Sequence, residues 1–389
     1  MFTINLDCVN HFVLQKHHLT DETKIDDIVK ITRDIGGLHT TNAITPYLSL
    51  FSRIKKFTRD KLDDELYIKK TLGKIRCVRK TVYIHPKERI PITYNATKKM
   101  VANISEQYLF KYLRVAQKEY ENTSKKIIEI LKGRGLTAKE IKEELPGSIN
   151  ISGIVNLMCD QMLLIRGKPQ KGWKSNLHTY HIFQEYFPDI NLDIVNETDA
   201  KEQLVKYYLD AFAPVTENDI AWWTGFTKND VRGIIEKNSR NIVHVKINGL
   251  DNDYIMFSSD EKKFKSIKKP IEPVVNLLPV LDPYMMGYKD RQRYLNHKYY
   301  DYIFDRGGNA TTTILLNGQV IGIWDFIELT IKIFLFEPIK ENTLEQIYSN
   351  AKRIGEFISR EKVEIKECRS MSPLTKRTAG SVMSPLKND

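Results

Sequence analysis

The chain has 389 residues, 41% hydrophobic and 28% charged, a globular balance sized for two or three domains, which excludes a disulfide miniprotein, a disordered chain and a coiled coil. With 60 Lys and Arg against 49 Asp and Glu the net charge is +11, which points to a polyanionic partner. Cys8, Cys77, Cys159 and Cys368 are scattered without a CxxC, arguing against a zinc site or a disulfide framework and for a reducing, cytoplasmic setting, nucleoid-associated if the source is prokaryotic.

In chain order, Met1 to Asn10 has no basic stretch leading into an apolar run and is not read as a secretory signal. Apolar spacing predicts helices over Leu6 to Leu19 and Thr23 to Ile35, the second capped by Asp21 or Thr23 and stopped by Gly36-Gly37. A polar stretch, His39-Thr40-Thr41-Asn42, precedes a helix opened by Pro46, and Asp60 to Leu72 reads as a fourth. The alternating run Lys74 to His85 is then a hairpin, giving helices followed by a two-stranded ribbon.

That plan recurs. Thr123 to Lys132, a helix opened by the capping-box spacing Thr137-Ala-Lys-Glu140, and Ile149 to Cys159 precede strands at Met162 to Arg166 and Leu177 to Phe183. Ala200 to Phe212, a short helix holding Trp222 and Trp223, and Thr227 to Asn238, the candidate recognition helix, precede a ribbon of Ile242 to Ile247 with Tyr254 to Phe257. From Val274 the pattern turns to strands at Leu277 to Leu281, Thr311 to Leu316, Val320 to Phe326 and Ile331 to Phe336, with an Asn317-Gly318 hairpin turn. Asp325, Glu328 and Lys332 interrupt this most apolar region, so it does not span a bilayer and no membrane partner is expected. A helix over Asn342 to Ser359 and a strand over Lys362 to Lys366 follow. The tail from Arg369, with Met371-Ser-Pro-Leu and Met383-Ser-Pro-Leu, is Ser/Thr/Pro/Lys-rich and reads as disordered.

The expected fold is therefore α+β: three tandem winged-helix units at 1–118, 119–195 and 196–270, a small β-barrel with a C-terminal helix at 271–368, and a tail at 369–389. Charge is uneven across it. Between residues 51 and 100, 15 basic side chains stand against 5 acidic ones, nearly the whole net excess, with Arg interleaved among Tyr67, Tyr83 and Tyr94. Such a segment suits a phosphate-contacting surface, although a solvated face is the common use of surface Lys. Arg53, Arg76, Arg79 and Lys80, with Arg291 further on, are the candidate phosphate contacts.

Six strings occur in an order that resembles one family. They are Leu14-Gln-Lys-His-His-Leu19; Gly37-Leu-His-Thr-Thr-Asn-Ala43 with Pro46-Tyr-Leu-Ser-Leu-Phe-Ser-Arg53; Arg79-Lys-Thr-Val-Tyr83; Pro214-Val-Thr-Glu-Asn-Asp-Ile-Ala-Trp-Trp-Thr-Gly225; Leu278-Pro-Val-Leu-Asp-Pro-Tyr-Met-Met-Gly-Tyr-Lys-Asp-Arg291; and Leu316-Asn-Gly-Gln-Val-Ile-Gly-Ile-Trp324. The set is similar to the winged-helix DNA-binding family that includes the AlkZ/YcaQ-type DNA glycosylases. The resemblance implies a C-shaped stack of three winged helices with a barrel, a monomer gripping double-stranded DNA and hydrolysing the N-glycosidic bond of alkylated or crosslinked purines without a cofactor. It also places a Gln-x-Gln or Gln-x-Asp signature where this sequence has His39-Thr40-Thr41.

Alkylated purines leave readily, so such an enzyme must mainly position a water and stabilise a cationic sugar. His39 could accept the water's proton near neutral pH and Thr41 could orient it; equally, the two could satisfy backbone groups in a loop. Asp282 could cap a turn, stabilise an oxocarbenium ion, or pair with Arg291 to hold the barrel on the first unit, the last being favoured. Trp222, Trp223 and Trp324 fall at core positions rather than base-stacking ones. A non-catalytic DNA-binding or regulatory protein is the alternative function; RNA binding lacks any RRM-like or KH-like string.

Overall fold

The structure, a computed structural model, describes residues 2–147 and 150–374. The second Ser-Pro string, at Met383, lies outside them. Strand β1 (Phe2–Ile4) leads into α1 (Leu6–Lys16), capped by the Asn5 side chain. Helix α2 (Ile28–Asp34) starts later than its apolar spacing suggests. Thr20 and Thr23 join their hydroxyls, and the His18 ring bonds the Thr23 carbonyl at 2.7 Å, so this stretch is a turn and Asp27 is the cap. Gly36 and Gly37, at φ 74° and 101°, end the helix.

Strand β2 (Leu38–His39), α3 (Thr45–Phe51) and α4 (Arg59–Asp63) follow, the last running into a π-helical turn over Asp64–Ile68. Strands β3 (Leu72–Arg76) and β4 (Val82–Pro86) complete a sheet of order β2-β4-β3. Helix α5 (Ile90–Glu106), continued by a π-helical turn over Gln107–Tyr112, follows β4 and has no counterpart among the helices expected from apolar spacing. Its buried face mixes Ile90, Ala96 and Val101 with Thr93, Asn95, Thr97 and Ser105, so the apolar repeat is interrupted. Thr97 bonds back to the Thr93 carbonyl, and Asn95 reaches the Leu192 carbonyl.

Helices α6 (Gln117–Leu131), α7 (Ala138–Glu144) and α8 (Ile151–Asp160) surround β5 (Leu136–Thr137), which joins β6 (Leu164–Pro169) and β7 (His178–Ile182) in the order β5-β7-β6. Both bonds of the Thr137–Glu140 capping box form. After α9 (Phe183–Tyr186) come α10 (Glu197–Phe212), α11 (Glu217–Thr224) and α12 (Lys228–Lys237), then β8 (Ile242–Ile247) and β9 (Leu250–Phe257). Strand β1 pairs in parallel with β8, so the first residues belong to the third sheet, order β1-β8-β9. A continuous core joins α1, the β3–β4 hairpin, α10, α11 and β8–β9.

The remainder comprises α13 (Glu261–Ser266), β10 (Val275–Leu278), α14 (Pro283–Met286), α15 (Tyr300–Ile303), β11 (Thr313–Leu316), β12 (Gln319–Ile327), β13 (Thr330–Leu335), α16 (Glu341–Ser359) and β14 (Glu364–Glu367). The five strands do not form the expected barrel. They make an open sheet of order β10-β11-β12-β13-β14, its edges unpaired with each other among the described residues, and α16 packs against both edge strands. Asn317 and Gly318, both at positive φ, make the β11–β12 turn. The described start of the tail is docked rather than loose: Met371 packs on the main core and Leu374 is buried. No helix among the described residues is long and apolar enough to cross a membrane.

Candidate functional site

The 37–43 loop is built from its glycine outward. A side chain at Gly37 would meet the His85 ring at 2.7 Å, so glycine lets β2 lie close on β4. The register sets His39 opposite Tyr83, and the Thr40 amide donates to the Val82 carbonyl at 2.9 Å. His39 is buried, its ring edge-on to Tyr83 at 4.9 Å, while Thr41 next to it is exposed.

Burial, reinforced by the Arg79 guanidinium, pushes the His39 pKa down to about 3. Its Nδ1 accepts the Thr41 amide at 3.4 Å, which assigns the proton of the neutral ring to Nε2. The expected base at neutral pH is thus a neutral hydrogen-bond donor, a change of role caused by desolvation.

The β6–β7 hairpin fastens over this loop. Asn176, exposed near its tip, donates from Nδ2 to the Thr41 carbonyl at 3.2 Å. Trp173 lies edge-on to Tyr47 at 5.2 Å with the Arg59 guanidinium over its ring at 4.0 Å. Beneath, Thr40, Tyr47, Lys74, Trp173 and His178 line a small cavity of about 10 Å³. Lys74 donates from Nζ to the Tyr67 hydroxyl at 2.6 Å, and burial pulls its pKa down to about 7. Asn176 and Trp173 carry no signature in sequence spacing, because their partners Thr41 and Tyr47 lie far away along the chain.

Several of the named cations of this segment are turned inward, although Lys55, Lys56, Lys69, Lys80 and Lys99 stay exposed. Arg53 is 0% exposed and grips Asp282, also fully buried, with two bonds of 2.9 and 2.8 Å. It cannot reach a phosphate. Asp282 takes a further bond from Ser49 Oγ at 2.8 Å and caps α14 through the Tyr284 amide, so it pairs with Arg53 and not with Arg291. The tie between α3 and the 279–291 segment exists, made by a different arginine.

Arg291 is buried too, bonded to the Tyr300 hydroxyl and the Gly308 carbonyl and stacked 3.4 Å from the Phe304 ring centre. Arg76 pairs with Asp160 of α8 at 3.0 Å. Arg79, at φ 51°, lies over Trp222 at 4.0 Å and reaches the Gly307 carbonyl at 3.3 Å; Arg291 approaches the same indole at 5.5 Å. Among the proposed phosphate contacts only Lys80 is exposed, at the turn beside Arg79, while Arg76 and Arg79 are half-buried. Trp223 and Trp324 are buried, and Trp222, on α11, is half-buried against Arg79 of the β3–β4 turn and Gly308. Among the described residues no group of His, Cys, Asp and Glu could hold a metal ion.

Comparison with known proteins matches the family model of AlkZ-like DNA glycosylases over residues 32–357. The solved structure of the Streptomyces sahachiroi DNA glycosylase AlkZ superposes with a TM-score of 0.76, covering 94% of this chain and 100% of that one at 14% identity, a likeness of fold. No curated protein matches the sequence.

Proposed function

The chain belongs to the AlkZ-like DNA glycosylase family, and from that premise we propose that it grips double-stranded DNA as a monomer and hydrolyses the N-glycosidic bond of an alkylated or crosslinked purine at the 39–41 loop. In this reading the three helix-and-sheet units are winged helices, at 1–118, 119–195 and 196–270, and Lys80, with Arg76 and Arg79 beside it, meets the phosphate backbone.

An N7-alkylated purine carries positive charge and departs easily, so the protein has little base chemistry to supply. Neutral His39 offers an Nε2–H donor, and the exposed Thr41 hydroxyl and the free carboxamide oxygen of Asn176 are acceptors that can hold a water for attack on C1′. The bond to the purine breaks, C1′ gains the water oxygen, and the water's proton passes to solvent.

The observation that carries the reading is the fixing of one exposed threonine beside a buried histidine where two units meet. Incubation with duplex carrying N7-methylguanine should yield abasic sites, and His39→Ala/Thr41→Ala should abolish them; undiminished activity in that double variant overturns the assignment.

A second reading, a non-catalytic DNA-binding or regulatory protein, is supported by the burial of His39, which pushes its pKa down and makes it a poor base for activating water. Tight binding of undamaged duplex with no abasic product would select it.

A further inference from the structure

The π-helical turn that prolongs α5 has two unlike faces. Leu109 is buried and Phe110 and Leu113 pack beside it in the second unit's core against α6 and α8, where Phe110 meets Tyr120 edge-on at 5.7 Å. That contact fixes the turn and its rotation. The opposite face carries Tyr108, Tyr112 and Ile104, which are 51%, 75% and 37% exposed. The two phenol rings lie 5.4 Å apart at 17°, stacked on each other in open solvent.

Exposed aromatics of this size are rare on a surface that binds nothing, because each forgoes a large apolar burial. Lys111 is exposed on the same turn and Arg114 and Lys118 are exposed just beyond it, while Glu106 before the turn and Glu119 after it are half-buried. Arg76, one strand away, is held to Ser105 one turn before Tyr108. A flat aromatic face rimmed by cations complements a chain of bases and phosphates, in which stacking is indifferent to base identity.

We infer that Tyr108 and Tyr112 form a stacking platform for unpaired bases, so that the protein binds single-stranded DNA at this turn in addition to duplex at the 39–41 loop. Bases inside a duplex cannot present their faces, so the occupant is a single-stranded or frayed segment, its phosphates on Lys111 and Arg114. The inference rests on DNA being the partner and is independent of which residues break the glycosidic bond.

The probe is a short fluorescein-labelled oligothymidylate read by anisotropy, beside an oligomer of equal length made of abasic sugars. Wild type should bind the thymidylate more tightly than the abasic strand, Tyr108→Ala/Tyr112→Ala should weaken it about tenfold or more, and Tyr108→Phe/Tyr112→Phe should keep it. The double alanine variant should still form abasic sites on alkylated duplex at the wild-type rate, which reports its folding; Tyr112→Ala, at the more exposed ring, provides a milder variant. Equal wild-type affinity for the two strands, unchanged affinity in the alanine variants, or equal loss in the phenylalanine variant overturns the platform. A wild type that binds no oligothymidylate also overturns it and leaves a protein partner for this face. Wild-type failure on alkylated duplex would instead overturn the glycosylase reading while leaving the thymidylate comparison intact.

Discussion

Three deeply buried histidines should make the fold fail in mild acid. Burial drives the His39 and His85 pKa values to about 3 and that of His17 well below its ordinary 6.5, with Arg53 and Arg293 adding to the last. In the unfolded chain each ring protonates as pH falls through about 6.5, whereas the folded state keeps it neutral down to the depressed value. Stability tied to each ring is thus complete above the unfolded pKa and declines as pH falls toward the folded one. At about pH 5 the difference is about 2 kcal/mol for each of His39 and His85, or about 4 kcal/mol for the two, with His17 acting in the same direction, against a total stability of about 5–15 kcal/mol. The buried carboxyls of Asp160 and Asp219, raised by desolvation, work in the opposite direction, so the decisive comparison is within one site. Urea unfolding from about pH 7.5 to about pH 5 should show the wild type losing several kcal/mol and His85→Phe losing about 2 kcal/mol less. A wild-type change below about 1 kcal/mol, or the same slope in His85→Phe, would refute the reasoning.

Three other outcomes follow from the same geometry. Asp282→Ala strands the Arg53 charge in the core and should cost about 3–5 kcal/mol in urea unfolding, while Arg53→Met/Asp282→Leu should come close to wild type; a loss under about 1 kcal/mol in the single variant contradicts the pairing. Lys74→Met should stabilise the protein at neutral pH by about 1–4 kcal/mol, and the gain should shrink from about pH 7 to about pH 10 as the unfolded lysine also loses its proton; a pH-independent gain counts against a desolvated amine. Asn176→Ala should slow abasic-site formation about tenfold or more with duplex affinity kept, measured as separate turnover and binding constants, and a pure affinity loss would remove Asn176 from water positioning.

Legibility followed the range of the interaction. Thr137 with Glu140 and Asn317 with Gly318 act over two to four residues, and both were readable as a cap and a hairpin turn. Helix α5 was not, because polar residues interrupt its inward apolar positions, with Thr97 and Asn95 bonding back to carbonyls one turn earlier. The α2 start shifted because His18, outside the periodic segment, claims a carbonyl within it. Barrel and open sheet use the same strands and differ in whether β10 and β14 pair, and here α16 packs against both in place of that pairing.

At the site, the family's loop was found by resemblance, but the roles of its residues depended on burial. A run of arginines reads as a basic surface whichever way each one points. Arg53 faces Asp282 across 229 positions, and no count along the chain distinguishes it from Lys80.

Strand β1 gives the molecule a particular order of completion. Phe2 finds its partner at Val245, so during synthesis this strand has no sheet to join until β8, far later in the chain, has been made. Until then its edge, and the α1 surface that closes on α10, are open to other chains. The long wait raises the entropic cost of closure and should make this pairing a late step in folding, the one at which misassembly between neighbouring nascent chains is decided.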